Sequence, residues 1–494
     1  MAAGHKLPAD SKTRSSAVRN HRNTLTLLIT CTAIFLDSLD TSTVGVALPS
    51  IRRDLGIDES SLQWLISGYT IAYGGFLLLG GRVADMFGRR KIFMLAITVF
   101  IVASIVGGAV SSGPLIIATR VVKGLAAAFT APAAFSIITT TFEEGPRRNK
   151  ALAIYTATAA TGYSIGLVAS GMLTQVHWRL VFFLPGAAAL IALILTPAAV
   201  DRDSPARGGS RSYDPGGAVT ATSAILLLVY ALVQGPVIGW TAASTIISLA
   251  LVVVLLAAFF VIERRHPEPT VPLRIFRSRT RSSSYLIAVA LGAAAIGWQF
   301  VATLYMQRIL GYSALRTALA MLPLGVMVFV TAQFVTGRLL GRVGIRAVCV
   351  SGMLLQVLAL MLFSYVGLVG HYDGIMLPGL VIHGLALGLV FPSINVGGVS
   401  GVADERQGVA AGLIVAAYAI GSGLGTAIMA AIVAAATSAT SPVSASPAGG
   451  AQALLNGYQS AFVGGALMAT AGLVVAIVAL PRKRALAEAR QAAA

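Results

Sequence analysis

From Thr24 almost to its end, the chain is a succession of apolar runs separated by short polar breaks. A helix of about 20 apolar residues, rising ~1.5 Å per residue, spans the ~30 Å hydrocarbon core of a bilayer. Windows of about 19 residues place such runs at 24–47, 62–82, 91–111, 114–141, 151–173, 179–200, 217–234, 241–262, 284–307, 317–340, 346–368, 374–400, 409–437 and 459–481. The pattern therefore predicts fourteen transmembrane helices. The breaks alternate in character. Arg89-Arg90-Lys91, 143–150, 201–214, 263–281, 341–346, 404–407 and Arg482-Lys483-Arg484 are basic or mixed, whereas 111–113, 234–236, 370–373 and 438–450 are small and mostly uncharged. Arg52-Arg53 and Arg308 are the outliers on the second side. Basic loops mark the cytoplasmic face, so both termini are expected to be cytoplasmic.

Composition agrees with the pattern. The 494 residues are 56% hydrophobic and 11% charged, where soluble domains carry about 25% charged residues. The expected fold class is an all-α polytopic membrane protein in the cell membrane. A net charge of +18 raises nucleic acid as a partner, but its confinement to loops of one side reads as membrane orientation instead. Cys31 and Cys349 both fall inside spans, giving neither a disulfide framework nor a metal site. The basic start (Lys6, Lys12, Arg14, Arg19, Arg22) precedes a full-length span, which reads as an uncleaved first helix.

Two polar linkers divide the chain. The division is a basic tail (1–23), six helices (24–200), a linker (201–216), two linking helices (217–262), a basic linker (263–283), six more helices (284–481) and a tail (482–494). The two six-helix blocks repeat each other. Gly81-Arg82…Gly88-Arg89-Arg90 recurs as Gly337-Arg338…Gly344-Ile345-Arg346 between the second and third helix of each block. Val121-Val122-Lys123-Gly124-Leu125-Ala126…Pro132 aligns without gaps on Val381-Ile382-His383-Gly384-Leu385-Ala386…Pro392, and Gly162 and Gly166 match Gly421 and Gly425. Internally repeated halves with a substrate site near the midplane are a transporter architecture; a receptor or scaffold is the alternative.

These motifs resemble the major facilitator superfamily, and specifically its fourteen-span drug:proton antiporter branch, over nearly the whole chain. Gly81-Arg82-Val83-Ala84-Asp85-Met86-Phe87-Gly88-Arg89-Arg90-Lys91 is similar to the family loop signature G-x-L-x-D-x-x-G-R-[KR]. Leu39-Asp40-Thr41…Val44 through Pro49 resembles the branch's first-helix signature, with Gly45 where Asn is usual. Arg120-Val121-Val122-Lys123-Gly124 resembles the fourth-helix R-x-x-Q-G, with Lys123 in the place of Gln. Tyr305-Met306-Gln307 with Gly311-Tyr312-Ser313 resembles the end of the branch's ninth helix. The fifth-helix antiporter signature appears as Gly162 to Gly171 without its proline and one of its glycines.

The candidate chemistry lies in charges within the spans. Asp37 and Asp40, three apart on the first helix, share a face, and so do Arg120 and Lys123 on the fourth. Because the family's first and fourth helices line the N-terminal half of its cavity, opposite charges there would offset each other's desolvation. One reading is a static ion network; the other is a proton site, where proton and substrate, or proton and Arg120, compete for a carboxylate. The family motif favours Asp40 over the additional Asp37. His383, aligned with Lys123, is either a packing residue or a further protonation site.

The resemblance further implies that Gly81, Asp85, Gly88, Arg89 and Arg90 form a gate at the cytoplasmic side. Gly162, Gly166 and Gly171 form a stripe for close helix packing. Tyr73, Tyr155, Tyr163, Trp298, Gln299, Gln333 and Asn395 are the polar and aromatic candidates for a substrate cavity. No phosphate-cradling G-x-x-x-x-G-K-[ST] occurs, nor a metal-ligand cluster or a nucleophile–base pair, so the reading is not an enzyme and needs no cofactor beyond a proton gradient. The expected activity is proton-coupled export of small amphipathic drugs or antibiotics by a monomer. An exporter of a metabolite, lipid or siderophore is the alternative, and a sensor or scaffold that moves nothing comes after it.

Overall fold

The computed structural model describes residues 9–57, 59–201, 215–239, 241–266, 273–369, 372–403, 406–439 and 447–481. The extreme tails, most of the 201–216 linker and residues 267–272 lie outside the described residues. Those described are helical with short connections, and none is in a strand. In order the helices are α1 (Ala9–Leu55), α2 (Glu59–Phe87), α3 (Arg89–Ala109), α4 (Gly113–Thr141), α5 (Pro146–Val176), α6 (Leu180–Ala199), α7 (Pro215–Ile238) and α8 (Ala243–Arg265). They continue as α9 (Arg279–Arg308), α10 (Ala314–Val330), α11 (Gly337–Phe363), α12 (Leu377–Val399), α13 (Gln407–Ala439) and α14 (Pro447–Val478).

Among the described residues, ten helical stretches are long and apolar enough to cross a membrane, or twelve if two bent pairs each count as one crossing. The pairs are Trp64–Leu77 with Leu79–Phe87, bent by 52°, and Pro146–Tyr163 with Val168–Val176, bent by 40°. Gly216–Ala231 is a shorter apolar helix. The stretch Leu315–Phe363, 49 residues long, runs from α10 through a π-helical turn at Thr331–Thr336 into α11. That is about twice what a bilayer needs, and the chain turns inside it at Gly344, where φ is 83°. Gly88, between α2 and α3, has φ 105°. Both glycines occupy the same position of the repeated motif, and this left-handed backbone is open to glycine at no steric cost. The motif is therefore a turn of the same kind in both blocks.

Packing repeats as well. A Cβ on Gly162 of α5 would lie 3.0 Å from the Phe35 Cα of α1, and one on Gly166 would lie 2.8 Å from the Leu39 carbonyl oxygen. Their counterparts Gly421 and Gly425 of α13 press in the same way on the backbone of Val289 and Ala293 of α9. In membranes, where lipid is as apolar as leucine, such small-residue contacts hold helices together. Within the first block α1 also packs on α6, and α4 on α2 and α3; in the second, α14 packs on α9, α11 and α13. Between blocks, α2 meets α13 and α5 meets α10.

The linking helices behave differently from the rest. Ile225 and Val229 of α7 pack against Ile71 of α2 and Leu413 of α13 together. A Cβ on Gly74 would meet Val229, and one on Gly75 would meet Leu226. Helix α8 packs on α7 and leaves Ile246, Ile247, Val253, Val254, Phe260 and Val261 exposed. A helix apolar all round and still exposed is one that faces lipid.

Candidate functional site

The charges predicted on α1 and α4 come together. Asp40 is fully buried, and its two carboxylate oxygens are taken separately: Oδ2 by the Arg120 guanidinium and Oδ1 by the Lys123 ammonium. Both cations are buried too. The remaining surface of each is closed off by protein. Arg120 Nε donates to the Leu65 carbonyl oxygen at 2.8 Å, and its guanidinium lies 4.5 Å from the Tyr69 ring centre. The Lys123 ammonium lies 4.5 Å from the Phe100 ring centre and 5.4 Å from that of Phe182. Removing an ion from water costs several kcal/mol even after relaxation, so such groups persist only when paired. The aromatic faces add cation–π attraction.

Asp37 is placed differently. Positions three apart on a helix differ by about 60° in direction, and Asp37 takes no part in either ion pair. The Asp37 side chain is buried and its Oδ2 has no hydrogen-bond partner. It lines a cavity of about 10 Å³ with Ala33, Leu36, Ile97, Phe100, Thr130, Ala189 and Ala192, drawn from α1, α3, α4 and α6. A cavity of that size is at the lower limit for one water molecule.

The second block carries no such ion pair at the repeated position. His383 is buried with its ring 4.3 Å from that of Trp298, and Phe363 packs on the Trp298 ring at 5.0 Å. Neither His383 nitrogen has a hydrogen-bond partner among the described residues, nor does Trp298 Nε1 or either end of the Gln356 amide. Where α1 and α4 hold a charged set, α9 and α12 hold an aromatic one.

The cavity candidates divide between different surroundings. Trp298 lies inside the second block, and Tyr155 inside the first, its hydroxyl 3.3 Å from the Ala131 carbonyl and its ring edge-on to Phe135. Asn395 donates to the Phe391 carbonyl oxygen of its own helix at 2.8 Å. Tyr163 of α5 and Gln299 of α9 lie close to each other across the two blocks, and both are half-buried. Tyr73 stacks on Tyr69 at 6.0 Å. Gln333, whose Oε1 has no partner, sits in the π-helical turn. Sequence reasoning missed Tyr69, Phe100 and Phe182. Tyr69 stands one turn before Tyr73 on the same face, which was the one available signal.

The predicted gate residues meet a partner from the other block. The Asp85 Oδ2 accepts from the backbone N–H groups of Gly408 at 2.9 Å and Val409 at 3.3 Å, in the first turn of α13. Its Oδ1 receives Arg89 Nε at 3.3 Å and the Ser136 hydroxyl at 3.4 Å. A helix start offers unpaired N–H groups and a positive dipole end, a natural seat for a carboxylate. The backbones touch beside it: a Cβ on Gly408 would lie 2.6 Å from the Gly81 carbonyl oxygen. Arg90 is half-buried, and Gly88 makes the turn into α3. In the glycine stripe, Gly162 and Gly166 face α1, whereas Gly171 faces the Leu315 side chain of α10.

Comparison with known proteins fits this geometry. The family model described as "Major Facilitator Superfamily" matches residues 30–426. The chain is 34% identical to the puromycin resistance protein of Streptomyces alboniger, over 92% of this chain and 90% of that one. It is also 34% identical to the cephamycin export protein of Amycolatopsis lactamdurans, over 93% of each. With the tetracenomycin C resistance and export protein of Streptomyces glaucescens the identity is 33%, covering 82% of this chain and 74% of the other. The crystal structure of a human organic anion transporter superposes with a TM-score of 0.67 at 14% identity, covering 92% of this chain and 99% of that one. That structural likeness concerns the fold.

Proposed function

The chain belongs to the Major Facilitator Superfamily, and from that premise we propose that it is a proton-coupled exporter of small amphipathic drugs or antibiotics, working as a monomer by alternating access. It is a multi-pass membrane transporter of small molecules and not an enzyme. The substrate class is supported by relatives whose names are those of resistance and export proteins for puromycin, cephamycin and tetracenomycin C. An exporter of an endogenous metabolite, lipid or siderophore, with the same machinery, is the alternative.

One observation carries the coupling: four ionisable groups, Asp37, Asp40, Arg120 and Lys123, are buried together at membrane depth. Charges there are costly and mark ion or proton pathways. The contact between Asp85 and the start of α13 acts as the gate, holding the two blocks together at the end that bears the basic loops. Opening that end breaks two N–H···O contacts and separates Gly81 from Gly408. Tyr163 and Gln299, which meet between the blocks, belong to the substrate path together with Tyr73. His383 lies outside the coupling centre in this reading, since aromatic rings and not carboxylates surround it.

Fourteen crossings are the reading of the helix count. Each bent pair is one span, α7 is a span, and the stretch Leu315–Phe363 is two spans divided at Gly344. The basic loops put both termini in the cytoplasm. Two blocks of six helices, joined by α7 and α8, are the units that rock.

The test uses purified protein in liposomes with an imposed pH gradient and a panel of puromycin, a cephamycin and tetracenomycin C. Movement of at least one compound that stops when an uncoupler collapses the gradient is the expected result. Movement indifferent to the gradient refutes the coupling, and a flat panel favours the metabolite exporter.

A further inference from the structure

We propose that the exchangeable proton of the coupling centre resides on Asp37, and that Asp40 is a fixed anion that keeps its two cations throughout the cycle. The inference rests on the proton-coupled reading above and names the group that does the work within it.

The two carboxylates differ in what a proton would meet. Each Asp40 oxygen already faces a cation, and the far sides of those cations are covered by Leu65, Tyr69, Phe100 and Phe182. Protonating Asp40 means displacing an ammonium or a guanidinium that has nowhere wet to go. Asp37 Oδ2 has no donor to displace, and the side chain opens on a small cavity. A buried carboxylate oxygen with no hydrogen bond is costly when ionised and far less so when it carries a proton.

Charge balance points the same way. With Asp40, Arg120 and Lys123 ionised, the set carries +1 when Asp37 is neutral and zero when Asp37 is ionised. One proton thus moves the buried set between +1 and zero without breaking either ion pair. Uptake forms one O–H bond on the Asp37 carboxylate, and release returns that proton to water.

Among the described residues, Asp40 is the one other carboxylate in the surroundings of Asp37. Asp40 is its neighbour on α1, and Lys123 and Thr130 face it from α4. Tyr69 and Tyr73 of α2 and Tyr155 of α5 lie within electrostatic reach. Helices α3 and α6 present only Ile97, Phe100, Ala189 and Ala192 to the cavity. Among the described residues the other buried carboxylates are Asp85 and Glu263, both near helix ends. Once Asp37 ionises, Lys123 is the cation it draws upon. An ammonium shared between Asp40 and Asp37 gives proton release a mechanical consequence at the contact of α1 with α4.

The experiment is infrared difference spectroscopy of the full-length purified protein taken through a pH series, following the carbonyl band of a protonated carboxylic acid. The wild-type protein is expected to show a band that disappears as pH rises. Asp37→Asn removes it, Asp37→Glu restores it at a shifted frequency, and Asp40→Asn, which takes a negative charge from beside Asp37 and leaves Lys123 free to face it, keeps the band but moves its loss to lower pH. A band that survives Asp37→Asn overturns the assignment, whether or not the Asp40 variant folds. Liposomes carrying puromycin under a pH gradient separate this failure from that of the broader reading. If the gradient drives wild type and Asp37→Asn equally, the assignment is wrong and the coupling stands. If puromycin moves in both without regard to the gradient, the coupling fails, and if it moves in neither, it is not the cargo; in both cases the infrared band still decides where a proton sits.

Discussion

Replacing Asp85 by Asn tests whether its contact with α13 sets the balance between closed and open forms. The carboxylate faces the first turn of α13, with its Oδ2 2.9 Å from the Gly408 nitrogen, and the residue is 9% exposed. A negative charge at a helix N-terminus contributes about 0.3–1 kcal/mol when exposed and up to ~2 kcal/mol when partly buried. The burial of Asp85 places it in the upper part of that range, about 1–2 kcal/mol. Asn keeps an oxygen acceptor and the shape, so the loss is mainly that of the charge. The ion pair with Arg89 lies within one segment, four residues along, and is present in both forms, so it cancels to first order. At 1.4 kcal/mol per factor of ten, the open form gains about 5–30-fold. The assay is the alkylation rate of a cysteine at Val409, which is buried beside the contact, in a background where buried Cys31 and Cys349 are replaced by Ala. Val409→Cys shrinks the side chain and adds no crowding. Alkylation is expected to be about 5–30-fold faster with Asp85→Asn, following the population of the open form. A rate unchanged by the substitution would refute the idea that this contact holds the closed form.

Two further predictions concern stability. Gly166→Ala puts a methyl 2.8 Å from the Leu39 carbonyl oxygen, which belongs to backbone and cannot swing away; a cost of about 1–3 kcal/mol is expected. Gly45→Ala, with nothing within 4 Å, should leave the detergent melting temperature unchanged or slightly raised, so the pair separates crowding from the general effect of adding a methyl. His383→Phe keeps the ring against Trp298 and removes two nitrogens that lack partners. The expected change is neutral or stabilising by about 1–2 kcal/mol, and a drop in melting temperature would show that the nitrogens are satisfied by a group other than those around them.

Much of this was legible because it depends on residue type at fixed spacing. Where two backbones touch or a chain must turn left-handed, only glycine serves, so Gly88 and Gly344, or Gly166 and Gly425, announce themselves as repeats. The pairing of Asp40 with Arg120 and Lys123 was legible for a similar reason: charges in an apolar run need opposite charges, and the run on α4 supplied them. What stayed hidden depends on direction and on contacts between distant segments. A shared face did not reveal that Asp40 takes both cations as ion-pair partners while Asp37 has neither. Nor did the seat of Asp85 on α13 leave a trace, because backbone N–H groups carry no side-chain signature. Trp298 and Tyr163 were read alike as polar aromatics within spans. The interior of a bundle and the gap between bundles are both non-lipid surroundings, and a hydropathy pattern does not distinguish them.

Helix α7 breaks the symmetry that the repeats establish. The blocks meet along two seams, α2 with α13 and α5 with α10. Ile225 and Val229 splint the first seam by touching both of its helices, and among the described residues no linking helix packs on the second to a comparable extent. A greasy molecule dissolved in the bilayer therefore meets two different doors. In the rocking motion proposed above, one is backed by a strut that must slide, and the other has no such strut among the described residues. A protein built by doubling one six-helix unit thus acquires a front and a back in the plane of the membrane.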